Sequence, residues 1–177
     1  MDSDSPPPSA ALEHPLIGQL FLLCSHRGAA GVFFRREDCI LASEKLAAVY
    51  GEDKSSVFLS NTMPYYAESV GQLLQYLEGF RRTFRLPLDL SLTTSRYQRK
   101  VLMEVMKVPY GAATTYGEIA KTVGGSARAV GGANAKNPLA IIIPCHRVLG
   151  QNRRLCGYSG GLHIKEALLR LEAHYLL

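Results

Sequence analysis

The chain has no tryptophan, and its four cysteines, at 24, 39, 145 and 156, include no C-x-x-C pair. That absence argues against a dithiol redox centre. Cys24, His26 and Cys39 lie close together, but their spacing matches no ordinary zinc pattern and a fourth ligand is missing. In a reducing compartment the cysteines stay as thiols. Long apolar runs are lacking too: "LIGQLFLLC" is too short to span a bilayer and contains Gln19. The opening "MDSDSPPPSAALEHP" has none of the basic residues that begin a signal peptide. It is acidic, small and proline-rich, which predicts a disordered lead-in over residues 1–13. These absences predict an intracellular protein without a membrane segment, cytoplasmic, or nuclear in a eukaryote.

Acidic residues are scarce in one stretch. From Ser95 to Leu155, ten lysines and arginines stand against Glu104 and Glu118 alone, a balance of +8, whereas the rest of the chain is −3. A concentration of this kind suits a polyanion, most simply nucleic acid, although a solvated cationic surface would look the same. With 177 residues, 47% of them hydrophobic, the chain can build one ordinary domain or two small ones around a packed core.

Periodicity suggests two parts. "GQLFLLCSHRGAAGVFFRRED" alternates strand-like runs around Arg27-Gly28 and Gly31, the pattern of a hairpin. "SEKLAAVYG" and "YAESVGQLLQYLEGF" have helical spacing. In the second, Val70, Leu73, Leu74 and Leu77 mark a buried face. "RLPLDLSLTTS" is the expected connector between an N-terminal domain over 14–90 and a C-terminal domain over 91–177. Beyond it, Tyr97, Val101 and Val105 predict a helix that stops before Pro109 and Gly111.

"LAIIIPCHRVLG", residues 139–150, sets a thiol beside an imidazole at the exit of a buried run. A single cysteine is more often core than catalytic. Here Pro144 is a natural first residue of a helical turn, which would place Cys145 among free N–H groups, with His146 and Arg147 adding positive potential. Such surroundings favour a reactive thiolate.

In "TTYGEIAKTVGGSARAVGGANAKNP", Thr115 and Glu118 form a capping box, Gly124-Gly125 closes that helix, and Ser126 caps a second one. This is helix-turn-helix spacing. Gly131 and Gly132 inside the second helix each cost roughly 1 kcal/mol relative to alanine. With Ala127, Ala129, Ala133 and Ala135 they leave a bare cylinder from which Arg128 projects, suited to close contact with DNA or, equally, to tight helix packing. Near the C-terminus, Ile164, Leu168 and Glu172 share one helical face. A carboxylate there either needs a partner, with His146 the natural one, or sits at the solvent edge of the helix. A Glu172–His146 pair would orient the imidazole towards Cys145 as a base.

"IPCHRV", with "RAVGGANAKNP" before it and "GYSGG" and "KEALLRLE" after it, resembles the active-site core of the O6-alkylguanine-DNA alkyltransferases. "HPLIGQLFLL", "QLLQYLEGFRRTFRLPLDL" and "VPYGAATTYGEIA" extend the likeness over most of the chain. The resemblance implies an α+β protein: an RNase-H-like α/β N-terminal domain, then a helical C-terminal domain whose helix-turn-helix enters the minor groove of double-stranded DNA without regard to sequence. It implies that Arg128 fills the gap left by a flipped guanine and that Tyr116 presses on the phosphate, with Ser126, Ala127, Ala129 and Gly131 at the groove. Flipping is required because a protein sulfur cannot reach an O6 carbon inside the stack. Cys145 then takes the alkyl group of O6-alkylguanine, or of O4-alkylthymine. His146, acting through a water and oriented by Glu172, is the implied base, and Asn137 braces the cysteine segment. Tyr158, Ser159 and the backbone at Val148 line the base pocket. The implied protein is a monomer that works once and needs no metal or cofactor.

This chain has Tyr97-Gln98 and Leu102 where similar chains carry Phe-Gln and a tryptophan, which reads as repacking of the first C-terminal helix. Alkyltransferase-like lesion-binding proteins lack the acceptor cysteine, so Cys145 argues against that class. A cysteine hydrolase would bring its thiol and imidazole from separate elements, and a plain regulator would need no thiol.

Overall fold

A computed structural model describes residues 11–51 and 65–174; the N-terminal decapeptide, and with it most of the expected tail, lies outside them. Three strands, β1 (Ala11–His14), β2 (Gly18–Ser25) and β3 (Gly28–Phe33), form an antiparallel sheet in that order. Side chains on β2 alternate between two buried faces, as the pleat requires. Phe21 and Leu23 pack with Leu46 and Ala47 of α1 (Arg36–Tyr50). Leu20, Leu22 and Cys24 face the larger core, which continues into the second half of the chain.

Four expectations are corrected here. Residues 11–13 are strand rather than tail, because β1 pairs with β2 and Leu12 packs on the core. Gly31 lies within β3; the reversal is made at His26-Arg27 and closed by Gly28, with φ +143. A Cβ on Gly28 would lie 2.1 Å from the Pro87 carbonyl oxygen, so only glycine lets residues 87–89 run along β3. The first helix starts at Arg36, well before "SEKLAAVYG". On α2 (Tyr66–Leu77) the buried face is Tyr66, Ser69, Gln72, Leu73, Tyr76 and Leu77, with Val70 and Leu74 only half-buried. Hydropathy misplaces that face because its polar members have partners: Gln72 exchanges two hydrogen bonds with the Arg85 backbone, and Tyr76 reaches Glu172.

The second half is mostly helical. Ser95 caps α3 (Arg96–Val105), which buries Gln98, Val101, Leu102 and Val105. The Thr115–Glu118 capping box opens α4 (Tyr116–Val123), and Ser126 caps α5 (Ala127–Ala135) after the Gly124-Gly125 turn. α6 (Leu162–His174) buries Ile164, Lys165, Leu168 and Glu172. Two short parallel strands, β4 (Thr114–Thr115) and β5 (Val148–Leu149), tie the start of α4 to the cysteine segment. The sheet grips the same segment from the other side, where Val32 N–H donates to the Pro138 carbonyl at 2.7 Å. The architecture is α+β. No helix among the described residues is long and apolar enough to cross a membrane.

Leu168 is fully buried where α6 meets the common core. Leu168→Ala is expected to destabilise the protein by about 2–5 kcal/mol, seen as a lower urea midpoint at unchanged slope.

Candidate active site

Two tight turns present Cys145. Ile141 has φ +72, a left-handed conformation that a β-branched residue adopts at a cost of about 1–3 kcal/mol. Its fully buried side chain holds it there. Asn137 spans the bend: its Nδ2 donates to the Ile143 carbonyl at 2.9 Å and its Oδ1 accepts from Leu139 N–H at 3.0 Å. Pro144 (φ −78°, ψ 61°) sits in an inverse γ-turn in which Cys145 N–H donates to the Ile143 carbonyl at 2.7 Å. The helix expected from Pro144 is therefore a three-residue 3-10 turn, Cys145–Arg147, and the cysteine N–H is already used. There is no helix dipole at the thiol.

The electrostatics at Cys145 correct the sequence reading as well. Cys145 is 4% exposed. Burial pushes its thiol above the ordinary value, and the Asn137 and Tyr158 side chains and the Lys165 charge offset this only in part. A buried thiol of this kind stays protonated until a base takes its proton.

A candidate for that base stands next in the chain. His146 is fully buried, and burial holds its pKa below the ordinary histidine value. Its Nε2 lies 2.9 Å from Glu172 Oε1. Glu172 is itself buried, which would raise its pKa, but hydrogen bonds from His146 and Arg147 outweigh this and bring it down to about 2. Against an ionised carboxylate Nε2 carries the hydrogen, so the neutral ring keeps its lone pair on Nδ1. Nδ1 is buried and has no hydrogen-bond partner. The sequence predicts that Arg147 adds positive potential at the thiol; the structure commits its guanidinium elsewhere. It is occupied by Glu172, with Nη2 at 2.8 Å and Nε at 3.0 and 3.1 Å, while its Nη1 donates to the Val108 carbonyl.

Cys145 opens on a cavity of about 400 Å³ whose walls include Tyr116, Gly131, Asn134, Tyr158 and Ser159. Tyr116, at the start of α4, packs its ring near Gly131, where bare backbone leaves room for it. The Val148 side chain is fully buried, and its backbone carbonyl, the group expected at the base pocket, accepts from Lys165 Nζ at 2.6 Å. Lys165 also binds the Cys156 carbonyl at 2.9 Å, tying the wall segment before Tyr158 to β5. Ser126, Ala127, Arg128 and Ala129 are exposed on α5, outside the cavity. Cys24 and Cys39 are buried thiols that desolvation raises to about 11, and no cluster of three metal-ligating side chains occurs among the described residues.

Residues 96–174 match the family model described as 6-O-methylguanine DNA methyltransferase, DNA binding domain. A methylated-DNA–protein-cysteine methyltransferase of Mycobacterium leprae is 49% identical over 114 residues, 63% of this chain and 68% of that protein. This chain belongs to the methylated-DNA–protein-cysteine methyltransferase family. A second member, from Methanosarcina acetivorans, is 46% identical over 61% of this chain and 69% of its own. Among solved structures, Mycobacterium tuberculosis OGT in complex with DNA superposes with a TM-score of 0.72 at 32% identity, over 93% of this chain and 91% of that one. The methyltransferase of Pyrococcus kodakaraensis gives 0.61 at 30% identity over 87% and 90%.

Four residues of this methyltransferase site escaped the sequence reading: Tyr76, Asn134, Arg147 in its pairing role, and Lys165. Lys165 was within reach, since it lies on the buried Leu168–Glu172 face of α6. The Glu172 network sets a pH dependence of stability. Its pKa falls from 4.5 to about 2 on folding, so its contribution is full above pH 4.5 and is lost as pH drops towards 2. Glu172→Gln is expected to flatten acid unfolding in that window and, by stranding Arg147, to lower stability at pH 7 by about 3–5 kcal/mol in urea titrations.

Proposed function

We propose that Cys145 is the acceptor in repair of O6-alkylguanine in double-stranded DNA by direct, single-turnover transfer. The observation that carries this reading is the buried thiol beside His146, whose Nε2 is held by Glu172 and whose Nδ1 is unpaired, at the mouth of a base-sized cavity. The Cys145 proton passes to His146 Nδ1 through a water. The sulfur attacks the alkyl carbon in line, the S–C bond forms as the C–O6 bond breaks, and the electron pair leaves with guanine, whose N1 takes a proton from solvent as the imidazolium releases its own. The thioether has no release step, so each molecule acts once. O4-alkylthymine presents the same alkyl–oxygen bond.

Binding to DNA is supported by the complex of the M. tuberculosis relative and by the +8 balance of residues 95–155. α4, the Gly124-Gly125 turn and α5 serve as a helix-turn-helix, with α5 against the minor groove. Small side chains there admit any sequence, and phosphate contacts supply affinity without base preference. Arg128, exposed and held by no hydrogen bond or ion pair among the described residues, fills the gap left by the flipped base. Tyr116, half in the cavity, turns the nucleotide into it, and Asn137 keeps the cysteine segment bent. Tyr158 and Ser159 contact the base. The chain from Ala11 to residue 90 forms an RNase-H-like scaffold and 91–177 the DNA-binding and reactive unit, working as a monomer in cytoplasm or nucleus.

Intact-protein mass spectrometry after incubation with an O6-methylguanine duplex is expected to show a gain of one methylene on the wild type and none on Cys145→Ser, with unmodified guanine appearing in the DNA. A wild-type protein that bound the duplex without gaining mass would overturn the acceptor assignment. Arg128→Ala is expected to slow transfer from the duplex at least tenfold, because an unfilled stack makes flipping less favourable by a few kcal/mol. Its reaction with the free base O6-methylguanine should slow far less in the same assay.

A further inference from the structure

Tyr76 lies on α2, in the first half of the chain, yet its hydroxyl is fully buried in the reactive centre of the second half. It donates to Glu172 Oε1 at 2.6 Å, the oxygen that also receives His146 Nε2, and its own oxygen is 3.2 Å from that nitrogen. Among the described residues it is the one side chain before residue 91 that bonds to this pair. Its ring is fixed independently, tilted against Phe84 at 5.3 Å and edge-on to Tyr110 at 6.1 Å between centroids. The hydroxyl is therefore placed by ring packing and then spent on the carboxylate.

Two consequences follow from that geometry. Oε1 is pinned between Tyr76, Arg147 and His146, which fixes the imidazole plane and leaves Nδ1 without a hydrogen-bond partner. The hydrogen bond also absorbs part of the negative charge that would otherwise stabilise an imidazolium. Other groups around the pair are Arg147 and Cys145 on the same turn, Lys165 on α6, Tyr158 on the cavity wall and Tyr110. All of them remain when the Tyr76 hydroxyl is removed.

We propose that Tyr76 is a positioning residue for alkyl transfer, holding Glu172 on His146 Nε2 and keeping Nδ1 neutral and free to accept the Cys145 proton. This rests on the reading of His146 as the base. The first half of the chain then contributes to the chemistry as well as to the scaffold.

The test is the single-turnover rate of methyl transfer from an O6-methylguanine duplex as a function of pH, for the full-length wild type, Tyr76→Phe and His146→Gln, with thermal midpoints alongside. Tyr76→Phe is expected to slow transfer about tenfold at neutral pH, in line with loss of a hydrogen bond to a charged group. Its acid limb should move to higher pH, because the freed carboxylate stabilises the imidazolium more strongly. Duplex affinity should not change. Replacing Tyr76 by 3-fluorotyrosine, a stronger donor of almost the same size, should move the limb the opposite way, and this arm decides the matter if the phenylalanine variant folds poorly. An acid limb unmoved in both variants overturns the proposal, whether or not the rate falls. A wild-type rate in His146→Gln would overturn the base reading itself, whereas an inactive His146→Gln beside an unperturbed Tyr76→Phe would overturn the Tyr76 role alone.

Discussion

The carboxylate of Glu172 organises the centre of this molecule. Removed from water on α6, it is stabilised by the fork of Arg147, by His146 Nε2, by the Tyr76 hydroxyl and by the Gly111 backbone N–H at 3.1 Å. The donors come from three separate parts of the chain: His146 and Arg147 from the 3-10 turn, Tyr76 from α2 and Gly111 from the loop after α3. A buried charge stripped of its partners is costly, so none of these elements can shift without exposing the others to that cost. The network is thus at once a clamp on the fold and the device that sets the histidine tautomer.

On the proposed mechanism, reactivity at Cys145 depends on this clamp, because burial outweighs the favourable effects of Asn137, Lys165 and Tyr158 on the thiol. The double turn uses its N–H, and burial raises its pKa. A protonated thiol beside a neutral imidazole is quiescent until an alkyl carbon enters the cavity. For a protein that spends its cysteine once, a low-pKa thiolate would be open to oxidation and to stray electrophiles. On the proposed mechanism, burial together with a poised base avoids that exposure while keeping the nucleophile available to a flipped nucleotide.

The strained backbone around Ile141 is part of the same arrangement. Asn137 and the edge of the first sheet hold that bend from two sides, through the Ile143 carbonyl and through Val32 to Pro138. The sheet, which carries no reactive group, is what keeps the cysteine segment from relaxing. Lys165 performs the corresponding task on the far wall, joining Val148 to Cys156 ahead of Tyr158.

Much of this was legible in the residues themselves. The capping box at Thr115–Glu118, the cap at Ser126, the helix over Tyr97–Val105 and the Ile164–Leu168–Glu172 stripe are local patterns, set by hydrogen bonds and periodicity within a few residues, and the structure forms them all. The pairing of Glu172 with His146 was legible as chemistry, since a carboxylate on an apolar face requires a partner. What the sequence could not determine is whatever depends on packing between distant segments. The polarity of the thiol's surroundings came out reversed, because desolvation is a property of the assembled core and not of neighbouring residue types. The buried face of α2 was misassigned because a tyrosine and a glutamine become core residues once their partners, 96 and 13 positions away, are brought to them. Only the tertiary structure decides where such polar groups are satisfied, since the free energy of burying one depends on a partner that the local sequence does not contain.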